Sequence, residues 1–319
     1  LGNNCYEDPV LAWITQRIDY QRECVLLEIY TLENDFLKMV VSKKGAELLE
    51  VIGKSDGYPY LWQGEPAFWG SRAPVLFPII GNLNQGKYRY DGKEYRMQRH
   101  GFAAKSDFEC WQNDADEISF SLTHSQATLS QYPFEFRLDV RYRLQNSTIT
   151  TEYRVENTGS RQMWFSIGGH PGFHCSLNSE GKKAGRLIFE RNETVNRLVN
   201  ELGYLTGREE PFLSDQNIID LATVDFDSNA KVYIMKNLTS EQVTLEDQKS
   251  GKQVRLRFPG FPYLGIWSPA NQAPFVCIEP WYGITSVIAD SADELEHKPG
   301  IQGLAPGECF ICSYDITCL

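Results

Sequence analysis

Two residues is the dominant hydrophobic period of this sequence. In FEFRLDVRYRLQN the residues at 134, 136, 138, 140 and 142 are apolar, and those between them are mostly charged or polar. That alternation specifies a strand in a sheet with one face buried and one wet. LLEIYTLEN, FLKMVVS, AELLEVIG, DFECWQ, EISFSLTH and STITTEYRVEN have the same character, each running a few residues before polar punctuation. KYRYDGKEYRM places Asp91-Gly92 between two alternating runs, the turn chemistry of a two-residue hairpin. Helical periodicity is scarce: a short amphipathic helix is expected over 10–20, and 225–236 fits either type. No internal repeat, low-complexity tract or long linker breaks the pattern. With 319 residues and 13% aromatics, the expected fold is all-β, a single large antiparallel β-sandwich over 25–319 with few short helices. Residues 1–24 differ in character and read as an appended N-terminal extension.

Several function classes are excluded by charge and composition. The formal net charge is −11, and no Lys/Arg-rich block offers a footprint for a phosphate backbone, so no nucleic-acid partner is expected. No run approaches the roughly eighteen apolar residues that cross a bilayer, and the N-terminus lacks the basic-then-apolar order of a secretory signal. A cytoplasmic protein without a membrane partner is expected. The eight cysteines are expected to be mostly free thiols, since a chain this large needs no staples. Cys309-Phe-Ile-Cys312 has CxxC spacing, but its surroundings, ECFICSYDI, read as a strand rather than a redox turn.

Four segments join unusual backbone composition to a polar or titratable group. They are GSRAPVLFPIIGN around Arg72, RHGFAA around His100, GGHPGFH around His170 and CIEPWYG around Glu279. Glycine and proline control backbone shape, so GGHPGF displays a histidine whose ordinary pKa, about 6.5, allows proton exchange near neutrality. The hexapeptide alone fits a turn carrying a surface or core histidine equally well. Glu279 ends the apolar run PFVCI and precedes Pro280-Trp281, which puts a carboxylate at a strand end. Desolvation would raise its pKa and a nearby histidinium or arginine would lower it.

In their order and spacing these segments resemble the galactose mutarotase-like superfamily, most closely the LacX-type branch of the aldose 1-epimerases, from about Leu27 to Ile316. The pieces that carry the resemblance are Arg72 with Pro74-Val75-Leu76-Phe77-Pro78, then His100-Gly101-Phe102, His170-Pro171-Gly172-Phe173 and Glu279-Pro280-Trp281-Tyr282-Gly283. It implies a β-supersandwich with a sugar cleft and a cofactor-free, metal-independent reaction that interconverts α and β anomers of a free hexose such as galactose or glucose. Glu279 is then the general base and His170, protonated, the general acid. Arg72 and His100 bind substrate, and Trp281, Phe173 and Trp267 offer an apolar face to the sugar ring.

The sequence departs from its relatives at Asn82, where an arginine is frequent, at Ala103-Ala104 and at Ser286, where many carry aspartate. Asp225, Asp227 and Asn229 cannot be aligned to the aspartate with which the superfamily grips hydroxyls. His174 lies four residues after His170, but Pro171 and Gly172 oppose the helix a metal pair would need; His124 and His297 read as surface residues. Two alternatives accompany the aldose 1-epimerase reading: a hexose-6-phosphate epimerase using Arg96, Arg99 and Lys105, and a noncatalytic sugar-binding protein. The partner is a small-molecule sugar, and the assembly a monomer or homodimer.

Overall fold

A computed structural model describes residues 28–226 and 232–319. The extension at 1–24, the helix at 10–20, and Asp227 and Asn229 lie outside the described residues. The architecture is the expected antiparallel β-supersandwich. Fifteen strands form one antiparallel sheet that runs from Val75–Leu76 through Ile167–Gly169, Phe275–Tyr282, Tyr263–Trp267 and Tyr233–Lys236 to Gly185–Glu201, and ends at Glu109–Asn113. Smaller sheets of three, two and three strands complete it. The apolar side chains of Leu37–Ser42 and Leu48–Gly53 join those of the large sheet in one continuous core.

Alternation maps onto burial as the sequence requires. Phe134, Phe136, Leu138, Val140 and Tyr142 are all buried, and Arg137, Arg141 and Arg143 on the other face pair with carboxylates. The hairpin at 87–96 turns through Asp91 and Gly92, both with positive φ, as the type I′ turn demands. The ambiguous 225–236 segment ends in the strand Tyr233–Lys236. Cys309 and Cys312 lie on the strand Cys309–Cys318, where alternation buries Cys312 and exposes Cys309. The six cysteines among the described residues are free thiols.

In one respect the strands differ from the sequence reading. Gly185–Glu201 and Tyr204–Asp220 form a 17-residue ribbon, joined by Leu202-Gly203 and interrupted by register shifts. Those irregularities break the strict alternation by which such long strands would be recognised.

Candidate active site

The cavity of interest lies where the GGHPGF and CIEPWYG segments pair. Gly168 lies opposite Trp281 on the Phe275–Tyr282 strand, and Gly172 lies opposite Cys277. The register is continuous across the proline, so His170 faces Glu279 directly. The histidine therefore belongs to a strand pairing and not to a free turn. His170 Nε2 is 3.1 Å from Glu279 Oε2. Cys277, Glu279 and Trp281 alternate onto one face. Glycines make room for the indole there: a Cβ at Gly265 would lie 2.6 Å from Trp281 Cη2, and one at Gly168 2.7 Å from Cδ1. The fence of GGHPGF thus chiefly clears Trp281 on one side, while Gly169 clears Tyr314 on the other.

Aromatic rings hold His170. Trp69 lies at 4.9 Å between ring centroids, Trp267 at 5.5 Å and His100 at 5.8 Å. This enclosure strips water from both members of the pair. Burial lowers the His170 pKa to about 3, with the Arg99 charge acting in the same direction, and raises that of Glu279 well above the carboxylate range, with Arg99 opposing. Both shifts favour uncharged forms. Within the protein neither Glu279 oxygen nor His170 Nδ1 has a hydrogen-bond partner, so the 3.1 Å approach is close without being aligned.

The rest of the wall comes from Ile80, Gly81, Arg99, Asn200, Gly203, Val232, Ile234 and Thr285, together with His100 and Trp281. The Trp281 Nε1 donor is also unpartnered. With the mouth included the cavity measures about 390 Å³, but its interior is tight, about 20 Å³, near the room one water needs. Arg99 is the exposed member of this wall. His100 enters from a segment in which His100 and Gly101 both have positive φ, +65° and +76°. Gly81 N–H donates to His100 Nδ1 at 3.1 Å, and Arg99 Nε is 3.0 Å from Nε2. Burial holds the His100 pKa well below its ordinary value, so the ring is neutral.

Four residues singled out from the sequence, Glu279, His170, His100 and Trp281, converge on this cavity. Two do not. Phe173 is fully buried in the main core opposite Val276, because residues three apart on a strand face opposite sides. Arg72 is not part of the wall: its backbone N–H donates to Glu47 and its Nε to the Gln63 carbonyl. Trp267 contributes by packing on His170. Asn82 bonds the Gly203 carbonyl, and Ser286 is buried with an unpartnered hydroxyl. His174 is occupied by Asp247 and Tyr58. Trp69, which packs on His170, was invisible to motif reasoning, as were the wall residues Asn200, Gly203, Val232 and Thr285. Their role in the wall depends on the 185–220 ribbon and on side-chain directions that no local spacing encodes.

Among the described residues, His170, Cys277 and Glu279 are able to converge on a metal ion, with ligand atoms all within 4.8 Å of one another. Two of these three are the buried imidazole and carboxyl that approach to 3.1 Å. No helix among the described residues is long and apolar enough to cross a membrane.

The sequence profile of aldose 1-epimerases matches residues 28–302, a span that contains every member of the cavity. The chain belongs to the aldose 1-epimerase family. It is 34% identical over 299 residues to the chromosomal protein LacX of Lactococcus lactis subsp. lactis, covering 90% of this chain and 98% of that one. Among solved structures it is similar to a galactose mutarotase-like protein from Lactobacillus casei, with a TM-score of 0.86, 30% identity, and 92% and 100% of the two chains covered. A galactose mutarotase related enzyme from Lactobacillus acidophilus gives a TM-score of 0.85 at 32% identity, covering 92% and 97%. This aldose 1-epimerase family member is thus a sugar isomerase of the LacX branch.

Proposed function

We propose that this epimerase interconverts the α and β anomers of a free hexose, with Glu279 and His170 exchanging the two protons. The observation that carries the reading is the 3.1 Å approach of a buried carboxyl and a buried imidazole, both with unmet hydrogen bonds, at the wall of one cavity. Anomerisation needs one proton removed from the C1 hydroxyl and one delivered to the ring oxygen. Glu279 as carboxylate takes the hydroxyl proton while His170 as imidazolium protonates the ring oxygen. The C1–ring oxygen bond breaks and C1 becomes a carbonyl. Rotation about C1–C2 and reversal of both transfers closes the other anomer, and each group returns to its starting state.

Burial among the protein's own groups favours carboxylic acid and neutral imidazole, whereas the reaction as written starts from carboxylate and imidazolium. Both states contain the same single proton. The sugar supplies what the ion pair lacks, a hydroxyl donor for the carboxylate and a ring-oxygen acceptor for the imidazolium. His100 Nε2, Arg99 and Trp281 Nε1 are placed to donate to sugar oxygens, and the indole offers an apolar face.

The activity follows the one-proton state of the pair, so kcat/KM against pH should be bell-shaped with a wide plateau. Its acid limb reports a second proton entering at His170, expected toward about pH 3. The alkaline limb reports loss of the Glu279 proton, above the usual carboxylate range. Anomer exchange followed by NMR saturation transfer checks this; an acid limb at the ordinary histidine value, near 6.5, contradicts it.

A hexose 6-phosphate is the second reading, favoured by Arg99. Its guanidinium is at the cavity and pairs with no carboxylate of the described residues. Of the other cations considered, Lys105 is bonded to Gln98, and neither Arg96 nor Lys105 is part of the wall. Arg99→Ala distinguishes the readings in assays with α-glucose, α-galactose and their 6-phosphates. For a free-hexose enzyme the loss in kcat/KM is similar on the free sugars and on their 6-phosphates; for a phosphate enzyme it falls selectively on the phosphorylated sugars and reaches about tenfold to a hundredfold, the scale of a charge-assisted bond.

A further inference from the structure

Lys298 is a buried amine that the proton-exchange chemistry does not use, and burial lowers its pKa to about 7, with the Asp293 charge opposing. It is 2% exposed, and its Nζ donates to the carbonyl of Ile80 at 3.0 Å and to that of Ile284. These two carbonyls belong to peptides that continue into the cavity wall, one into Gly81 and the other into Thr285. The Ile80–Gly81 peptide is bonded at both ends: its C=O accepts from Lys298, and its N–H donates to His100 Nδ1 at 3.1 Å. Thr285 Oγ1 in turn accepts from Asn82 N–H and donates to the Gly203 carbonyl, tying the second peptide to the rest of the wall.

We infer that Lys298 is a positioning residue that fixes the Ile80–Gly81 peptide and, through it, holds His100 in the tautomer with the proton on Nε2. A neutral imidazole has one lone pair and one N–H. Once Nδ1 accepts from the backbone, Nε2 carries the hydrogen and points a donor at the cavity. Arg99 Nε–H is also directed at the ring, toward Nε2 from 3.0 Å, and because a neutral imidazole accepts at only one nitrogen this donor has to turn away once Nδ1 is the acceptor. The backbone donor is held at both ends of its peptide, whereas Arg99 is an exposed, flexible side chain, so the peptide decides the tautomer. Nε2–H and the guanidinium are left as two donors converging on one place, where a sugar oxygen can accept from both. Donation by Lys298 to the Ile80 carbonyl also polarises the peptide and strengthens its N–H as a donor. The inference rests on the proposed sugar site but concerns His100 itself, so it is open to a measurement that needs no substrate.

The test is the nitrogen chemical shifts of the His100 ring in ¹⁵N-histidine-labelled protein without sugar. The wild type is expected to give a protonated Nε2 and an unprotonated Nδ1; the opposite tautomer overturns the inference whatever the substrate proves to be. Lys298→Met removes both donations, and Lys298→Gln retains an amide that can reach the carbonyls. The methionine variant should populate the other tautomer and lose about tenfold in kcat/KM, with the glutamine variant intermediate in both. A folded Lys298→Met that keeps wild-type shifts and activity overturns the inference. If that variant does not fold, the wild-type shifts and the glutamine variant still decide it.

Discussion

Glu279→Gln and His170→Asn should each lower kcat about 10²–10⁴-fold, the usual contribution of one positioned proton-transfer group, with far-UV circular dichroism unchanged. Glutamine keeps the shape of Glu279, asparagine is polar but smaller than the imidazole and has no counterpart to Nε2, and neither exchanges a proton. A variant of either kind retaining near-wild-type anomer exchange would falsify the proton roles. Glu279→Gln also carries a stability signature of opposite sign to its effect on activity. The folded-state pKa of Glu279 is raised above its unfolded value, so its native-state stability is fully present below the unfolded pKa and is lost as pH rises through the folded one. At pH 7 the unfolded chain ionises this group and the buried site resists doing so. Glutamine has no such penalty. Thermal unfolding at pH 7 should therefore show the variant with the higher Tm, and the difference should shrink toward pH 4. A variant less stable than wild type at pH 7 would mean that the carboxyl is held ionised by partners the cavity does not display.

Gly101→Ala should produce the largest loss of stability of any single methyl addition near the site. A Cβ there would stand 2.2 Å from the Phe77 carbonyl oxygen and 2.7 Å from Pro78 Cδ, on a residue with φ of +76°. The left-handed backbone costs an L-residue about 1–2 kcal/mol, and overpacking adds about 1–3 kcal/mol. Backbone cannot move aside as a side-chain tip can, so a loss of about 3 kcal/mol is expected in urea or thermal unfolding. The displaced neighbours include the amide of Phe102, which bonds the Phe77 carbonyl. His100, one residue before the glycine, shifts with them. Activity measured on the folded fraction should therefore fall as well; a stable, fully active Gly101→Ala would show that the 77–78 and 100–102 segments are not rigidly docked.

The parts of this protein written in local pattern were legible. Alternation at 134–142 identified a one-sided strand, Asp91-Gly92 identified the separate hairpin at 87–96, and the two short motifs carrying His170 and Glu279 were recognisable from residue type and order. Side-chain direction was harder. Phe173 was grouped with the site because it adjoins His170, yet three positions along a strand it points into the core. That error follows from reading GGHPGF as a turn, since strand alternation would have separated the two residues. Arg72 is near in space to the residues around His170, since its carbonyl accepts from the Gly172 amide, but its Nε donates to the Gln63 carbonyl and it is not part of the cavity wall. Nothing in the spacing of a single segment records where a long side chain ends.

From the sequence alone came an all-β architecture, because a period of two along a strand needs only local steric chemistry, and with it the chemical identity of a carboxyl and an imidazole. Their meeting was decided by the tertiary structure. His170 and Glu279 are 109 positions apart, and it is the register binding Gly168 to Trp281 and Gly172 to Cys277 that sets them face to face. The charge state of the pair and the tautomer of His100 are likewise properties of the packed molecule. Both depend on which rings exclude water and on which peptide the buried Lys298 holds, and these are brought together only when distant strands pair.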